Sequence, residues 1–187
     1  MESASEPCPV PVHRSGGRCL LIAWWSRTGA AEQLSIAAEQ AARQAVIDVA
    51  TDEPVTRVVR LRCDVAGPDD LLAADAFLII APENLGSLAG MMKEFFDRCY
   101  YPVLGRLNGR PYASVVSAGS DGEGAARQMA RIATGWRLRE VVAPRIVTVH
   151  AQTPEQILAR KHLTVAQRAI AGESAATLAA GLEAGLW

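Results

Sequence analysis

Along this chain, apolar runs alternate with segments whose apolar positions recur every three to four residues. The runs fall at residues 20–24, 55–61, 77–81, 113–118 and 141–149. Between them, helical spacing predicts amphipathic helices. Leu34, Ala37, Ala38, Ala41 and Ala45 share one face of the first, and Leu88, Met91, Met92, Phe95 and Cys99 one face of the third. In the fourth, Ala125, Met129, Ile132 and Trp136 form the stripe, and residues 120–123 read as a capping box. A weaker helix is expected over residues 68–74. Thr153, Pro154 and Gln156 mark the start of a last helical region that breaks near Gly172.

Strand-like runs separated by helices are the signature of a parallel sheet wrapped on both faces. The runs at 20–24 and 77–81 are apolar throughout, as strands buried on both sides must be. The run at 55–61 carries Arg57 and Arg60, which places it at an edge. Pro144 lies inside the fifth run and cannot donate to a ladder, so that strand is also assigned to an edge. The doubly wound order 2-1-3-4-5 meets both conditions. We expect one α/β domain over residues 18–187, preceded by a disordered tail over residues 1–17 in which Pro, Ser, Gly and charges mix without period.

In such a sheet, ligands sit beyond the carboxyl ends of the strands, at the switch point. Three loops converge there. The first is Ser26-Arg27-Thr28-Gly29-Ala30-Ala31, the second Pro82-Glu83-Asn84-Leu85-Gly86-Ser87, and the third Gly119-Ser120-Asp121-Gly122-Glu123-Gly124. The first leaves a buried strand and opens a helix, where free N–H groups and the positive end of the helix dipole form an anion site. Its hydroxyls on Ser26 and Thr28 suit a terminal phosphate monoester. On this loop alone, an ordinary turn with Thr28 as helix cap accounts for the residues equally well.

Several chemistries are excluded at this point. The first loop has no Lys and no G-x-x-x-x-G-K-[ST], against a nucleotide triphosphatase, and no G-x-G-x-x-G, against an ordinary dinucleotide fingerprint. The first strand does not end in an acidic pair, as a metal-dependent phospho-receiver would. Cys19 begins that strand and no C-x5-R follows, unlike a cysteine phosphatase. The four cysteines form no CxxC pair and sit near no histidine cluster, so neither zinc nor a disulfide framework is expected. Cys19 and Cys99 read as buried thiols in a reducing cytoplasm. The formal net charge is −1, which offers no field for nucleic acid or an anionic membrane. No apolar run approaches the roughly 20 residues of a membrane span, and the acidic N-terminus lacks a secretory h-region.

Residues 26–30 resemble the phosphate loop of flavodoxin-like FMN proteins, [ST]-x-T-G-x-T. Residues 81–98, with Pro82, Gly86, Met92, Lys93, Phe95, Phe96, Asp97 and Arg98, are similar to the second segment of that family's reductase branch. Arg110-Pro111-Tyr112-Ala113 and Ser117-Ala118-Gly119 resemble its fourth strand and third flavin loop. The resemblance spans roughly residues 18–150. It implies a flavodoxin-like three-layer sandwich around a five-stranded parallel sheet. It implies that Ser26, Arg27, Thr28, Gly29, Ala30 and Ala31 hold the ribityl phosphate of FMN. Pro82, Glu83, Asn84, Leu85, Gly86 and Ser87 then border the isoalloxazine, and Gly119, Ser120, Asp121, Gly122 and Gly124 close its other side. Ala31 stands where the family carries a hydroxyl, and Leu85 where many relatives carry an aromatic.

The resemblance further implies an oxidoreductase in which hydride chemistry belongs to the flavin and the protein supplies binding and orientation. NAD(P)H is the implied donor, a quinone, free flavin or other small molecule the acceptor, and a homodimer or larger homo-oligomer the assembly. A flavodoxin-like electron carrier, or a flavin-free regulatory domain, stays open. No catalytic acid, base or nucleophile is assigned, since His13, His150 and His162 sit beside no nucleophile. Trp24 and Trp25 read as core or interface residues, Tyr100 and Tyr101 as a helix-end packing cluster or a pocket lining, and Glu83 and Asp121 as solvated or capping carboxylates.

Overall fold

A computed structural model describes residues 17–187. The expected N-terminal tail therefore lies outside the described residues, apart from Gly17. The elements in chain order are β1 (Cys19–Trp24), α1 (Ala30–Val49), β2 (Arg57–Arg62), α2 (Pro68–Ala73), β3 (Ala76–Asn84), β4 (Ser87–Leu88), α3 (Gly90–Val103), β5 (Pro111–Ala118), α4 (Glu123–Gly135), β6 (Arg139–Glu140), β7 (Arg145–Thr148), α5 (Pro154–Leu158) and α6 (Val165–Glu183).

The sheet runs β2-β1-β3-β5, with β6 and β7 both pairing β5 on its far side. All these pairings are parallel. Counted by its main strands, this is the expected order 2-1-3-4-5. The fifth strand departs from expectation in one respect. It is two pieces, β6 opposite the start of β5 and β7 opposite its end. Pro144 lies between them, and its missing N–H interrupts the ladder there.

Because successive side chains of a strand face opposite ways, β1 and β3 feed two cores at once. On one face Leu20, Ile22, Leu78 and Ile80 meet Leu34, Ala38, Ala42 and Val46 of α1 and Leu178 of α6. On the other, Leu21, Phe77 and Ile79 meet Met92, Phe95 and Phe96 of α3 and Met129 of α4. Trp136 stands edge-on to Phe96, ring centroids 5.1 Å apart, a favoured aromatic geometry.

Several expectations are corrected. The last helical region is two helices, a short α5 and a long α6 started by its own capping box at Thr164 and Gln167. Helix α6 does not break at Gly172. A Cβ there would lie 3.3 Å from Ala41 Cβ, so the glycine serves close packing of α6 on the alanine-rich side of α1. In α3, Leu88 belongs to β4 and Met91 is exposed, while Phe96 joins the buried face. The capping box at residues 120–123 does not form. Helix α4 starts from Gly122 at φ 91° with no side-chain cap of its own, and a carboxylate from another loop takes that role. The edge strand β2 starts at Arg57 instead of residue 55, and Arg60 pairs with Glu39 of α1 at 2.7 Å.

Candidate functional site

The carboxyl ends of β1, β3 and β5 bring the three predicted loops to one end of the sheet. Loop one is a glycine turn at a helix start that no side chain caps. Gly29 has φ 91°, a conformation open to glycine and costly for side-chain-bearing residues. Its N–H donates to Ser26 Oγ at 3.0 Å, which leaves the Ser26 hydroxyl proton free to be given elsewhere. The first bond of α1 runs from the Gln33 N–H to Gly29 O. The amides of Ala30, Ala31 and Glu32 precede it and have no intrahelical acceptor. No side chain caps this helix. The Thr28 hydroxyl, expected as a cap if the loop were a plain turn, does not fill that role. Ala30 and Ala31 are buried, so they offer backbone only, and Arg27 is exposed at the rim.

Loop two is not an irregular loop. Residues Glu83 and Asn84 pair with Leu88 and Ser87 as an antiparallel hairpin. Its two-residue turn puts Leu85 at φ 53° and Gly86 at φ 71°. Positive φ at both central positions is what a type I′ hairpin turn requires, and Asn is a favoured first residue. Leu85 fills that place instead, fully exposed. Ser87 Oγ donates to Gln128 Oε1 at 2.9 Å, and the Leu88 N–H donates to the same oxygen at 2.8 Å. Gln128 of α4 thus clamps the hairpin, and the Ser87 side chain is turned to it.

Loop three is pressed against loop two. The Glu83 carboxylate accepts from the Gly122 N–H at 2.8 Å and so places an anion beside the positive end of α4, on the residue before its first turn. Glu83 is thus half-buried and bonded instead of solvated, and its Oε1 is buried with no hydrogen-bond partner. A Cβ at Gly124 would come 2.1 Å from Gly86 O, and one at Gly119 would come 2.7 Å from Ala151 O. Glycine at both positions is what lets the backbones close up. Ser120 and Asp121 are exposed at the tip, and Pro82 and Gly119 are half-buried beneath.

Sequence reasoning missed the segment 159–163, which crosses loop one. The Lys161 N–H donates to Thr28 O at 2.7 Å. Gln33 Nε2 donates to Lys161 O at 2.7 Å and to Gly29 O at 2.9 Å, and Gln33 Oε1 accepts from the Leu163 N–H at 3.1 Å. Leu163 is buried. The signal for this segment was readable: a capping box at Thr164 starts a new helix and leaves residues 159–163 as connection.

Two other groups sit elsewhere. A concavity of about 240 Å³ lies between α3 and α4, lined by Phe96, Tyr100, Ile132 and Trp136. Tyr100 and Tyr101 occupy the end of α3 far from the three loops, and Tyr101 is largely exposed, so neither lines the three-loop mouth. Trp24 is buried and Trp25 half-buried, with Arg60 and Arg62 stacked over them at 5.3 and 5.1 Å. Among the described residues no cluster of His, Cys, Asp and Glu could hold a metal, and no helix is long and apolar enough to cross a membrane.

The donor set of loop one fits the phosphate that the resemblance to FMN proteins implies: free amides, two hydroxyls and a glycine in the left-handed region, with no carboxylate capping the helix. Loops two and three offer backbone and small side chains, a surface suited to a flat ring.

Comparison with known proteins agrees. The family described as NADPH-dependent FMN reductase matches residues 65–154, which covers loops two and three. FMN is the cofactor that this match indicates. No curated protein matches the chain. Among solved structures, a flavodoxin from the domain Archaea is 14% identical with a TM-score of 0.65, over 88% of this chain and 98% of that one. The two-electron reduced flavodoxin of Megasphaera elsdenii is 19% identical with a TM-score of 0.61, over 84% of this chain and 98% of that one. Rubredoxin oxygen:oxidoreductase from Desulfovibrio gigas is 14% identical with a TM-score of 0.66, over 91% of this chain and 37% of that one. The fold is therefore flavodoxin-like, and the family match over residues 65–154 falls largely within the residues 18–150 that resemble flavodoxin-like FMN reductases.

Proposed function

We propose that this protein binds FMN across the three-loop mouth and uses it to pass electrons from NAD(P)H to a small acceptor such as a quinone or a free flavin. The observation that carries this reading is the start of α1. Helices α5 and α6 have a first-turn N–H bonded by Thr153 and Thr164, whereas at α4 Glu83 bonds only the N–H of Gly122, the residue before the helix. The 20-residue α1 begins beside the switch point with no side-chain cap, the arrangement an anionic ligand completes.

In this reading the amides of Ala30, Ala31 and Glu32, with the hydroxyls of Ser26 and Thr28, hold the phosphate. Pro82, Asn84, Leu85 and Gly86 border one side of the ring, and Gly119, Ser120, Asp121 and Gly124 the other. Glu83, Gly122, Ser87 and Gln128 set the distance between those two walls. Bound FMN supplies a two-electron acceptor and donor, so no acid or base from the chain is required. The chain's part is to orient the ring and to keep its backbone N–H groups where negative charge builds on it. The same reading places the protein in the cytoplasm as a homodimer, and sedimentation of the purified protein checks the assembly.

Loading with FMN followed by rapid mixing with a reductant tests the proposal. The purified protein, loaded with FMN, is mixed rapidly with NADH or NADPH while the flavin absorbance is followed. Fast bleaching by one of them supports the oxidoreductase. A flavin that is bound but reduced by neither points to an electron carrier. Failure to take up FMN at all points to a regulatory domain.

A further inference from the structure

No motif assigns Arg160 a role, yet it lies on the phosphate loop. A Cβ placed at Gly29 would sit 3.6 Å from Arg160 Cγ and 3.7 Å from its Nε. The backbone that follows it is fixed. Lys161 is bonded to Thr28 through its N–H and to Gln33 through its carbonyl, and Leu163 is bonded to Gln33 and buried. Lys161 Nζ reaches the carbonyls of Gln156, Ile157 and Ala159, which closes the end of α5 and spends that cation locally. The Arg160 guanidinium is not spent. Its carboxylate contact is Glu32 Oε2 at 3.9 Å, at the edge of ion-pair distance, with the arginine side chain 71% exposed. An exposed pair of that kind contributes little. A planar cation with five donors, held beside a glycine turn with free amides and loosely paired, is set for a bidentate contact to a phosphate.

We propose that Arg160 is a phosphate-binding residue. It is delivered to loop one by the strap 159–163, and it makes the site selective for the phosphorylated flavin. The proposal rests on the FMN reading above. On binding, the guanidinium exchanges its weak contact with Glu32 for the phosphate oxygens. The strap supplies charge to a loop in which Ala31 brings no hydroxyl and Arg27 is exposed at the rim.

The experiment is flavin binding to the full chain, read by quenching of free flavin fluorescence, with FMN and with riboflavin. The proteins are the wild type, Arg160→Ala, Arg160→Lys and Arg106→Ala. The last removes an equal charge at the opposite end of the sheet. Arg160→Ala is expected to weaken FMN about tenfold, the scale of one partly exposed charge-assisted contact. Riboflavin affinity is expected to stay within about twofold, an energy difference near the noise of such measurements. Arg160→Lys should recover part of the loss, and Arg106→Ala should bind as wild type. The salt dependence of FMN binding should flatten in Arg160→Ala, since one screened attraction is gone. FMN affinity unchanged in Arg160→Ala overturns the assignment. So does an equal loss for both flavins, which would make the strap a general cover, or an equal loss in Arg106→Ala, which would make the effect one of net charge. A wild type that binds neither flavin overturns the FMN reading itself, and this assignment with it.

Discussion

The Glu83 carboxylate accepts a hydrogen bond from the Gly122 N–H at 2.8 Å, and through it the hairpin after β3 caps the helix after β5. Two walls of the candidate site are thereby held by one side chain. Glu83→Ala removes the bond and the favourable charge at a helix start, and a loss of about 1–2 kcal/mol is expected. Glu83→Gln keeps an acceptor and should lose less than half of that. Urea unfolding of the three proteins checks the order.

Leu85 holds a positive φ that asparagine adopts at lower cost, and its side chain is fully exposed. Leu85→Asn should therefore stabilise the protein, by up to about 1 kcal/mol. If Leu85 borders the bound ring, the same change should weaken FMN and riboflavin together. Thermal melting and flavin titration of one variant read both effects. A more stable protein with unchanged flavin affinity would take Leu85 out of the site.

The parallel core of the fold was legible because β1 and β3 lie between two helical layers and so read as unbroken apolar runs. The order 2-1-3-4-5 followed from Arg57, Arg60 and Pro144. The hairpin at residues 83–88 was hidden because Leu85 does not look like a turn residue. The continuity of α6 was hidden because Gly172 looks like a breaker when Ala41, against which it packs, is far away in sequence. The loops of the site were legible as glycine-rich helix starts. The partners Gln33, Gln128 and Arg160 were not, since each acts on a loop distant in sequence or leaves no local period.

Replacing Gly172 with a large residue tests that packing. Gly172→Leu must push α6 away from α1, and a loss of about 1–3 kcal/mol is expected. Circular dichroism should still show α6 intact, because leucine is a better helix former than glycine. Loss of helix content with unchanged α1 packing would instead mark Gly172 as a weak point of the helix.

Cys19, Cys63 and Cys99 are buried free thiols. Burial pushes the Cys63 thiol up to about 12 and the Cys99 thiol up to about 11, from an ordinary 9.0. The unfolded chain ionises these groups as pH passes 9.0 while the folded chain does not, so their contribution is full below that value and is lost above it. Stability should therefore fall between about pH 9 and 12, and fall less in Cys63→Ala. In a Cys8→Ser background, no thiol should react with a soluble alkylating agent at neutral pH until denaturant is added.

The central claim is that loop one recognises the phosphate of FMN, and paired equilibrium titrations of the purified protein with FMN and riboflavin test it most directly. FMN is expected to bind at least about tenfold tighter, as a phosphate held by several backbone N–H groups requires. Gly29→Asp, which brings a Cβ and a negative charge to the same turn, is expected to abolish FMN binding. Equal affinities for the two flavins, or full FMN binding by Gly29→Asp, would contradict the assignment of loop one.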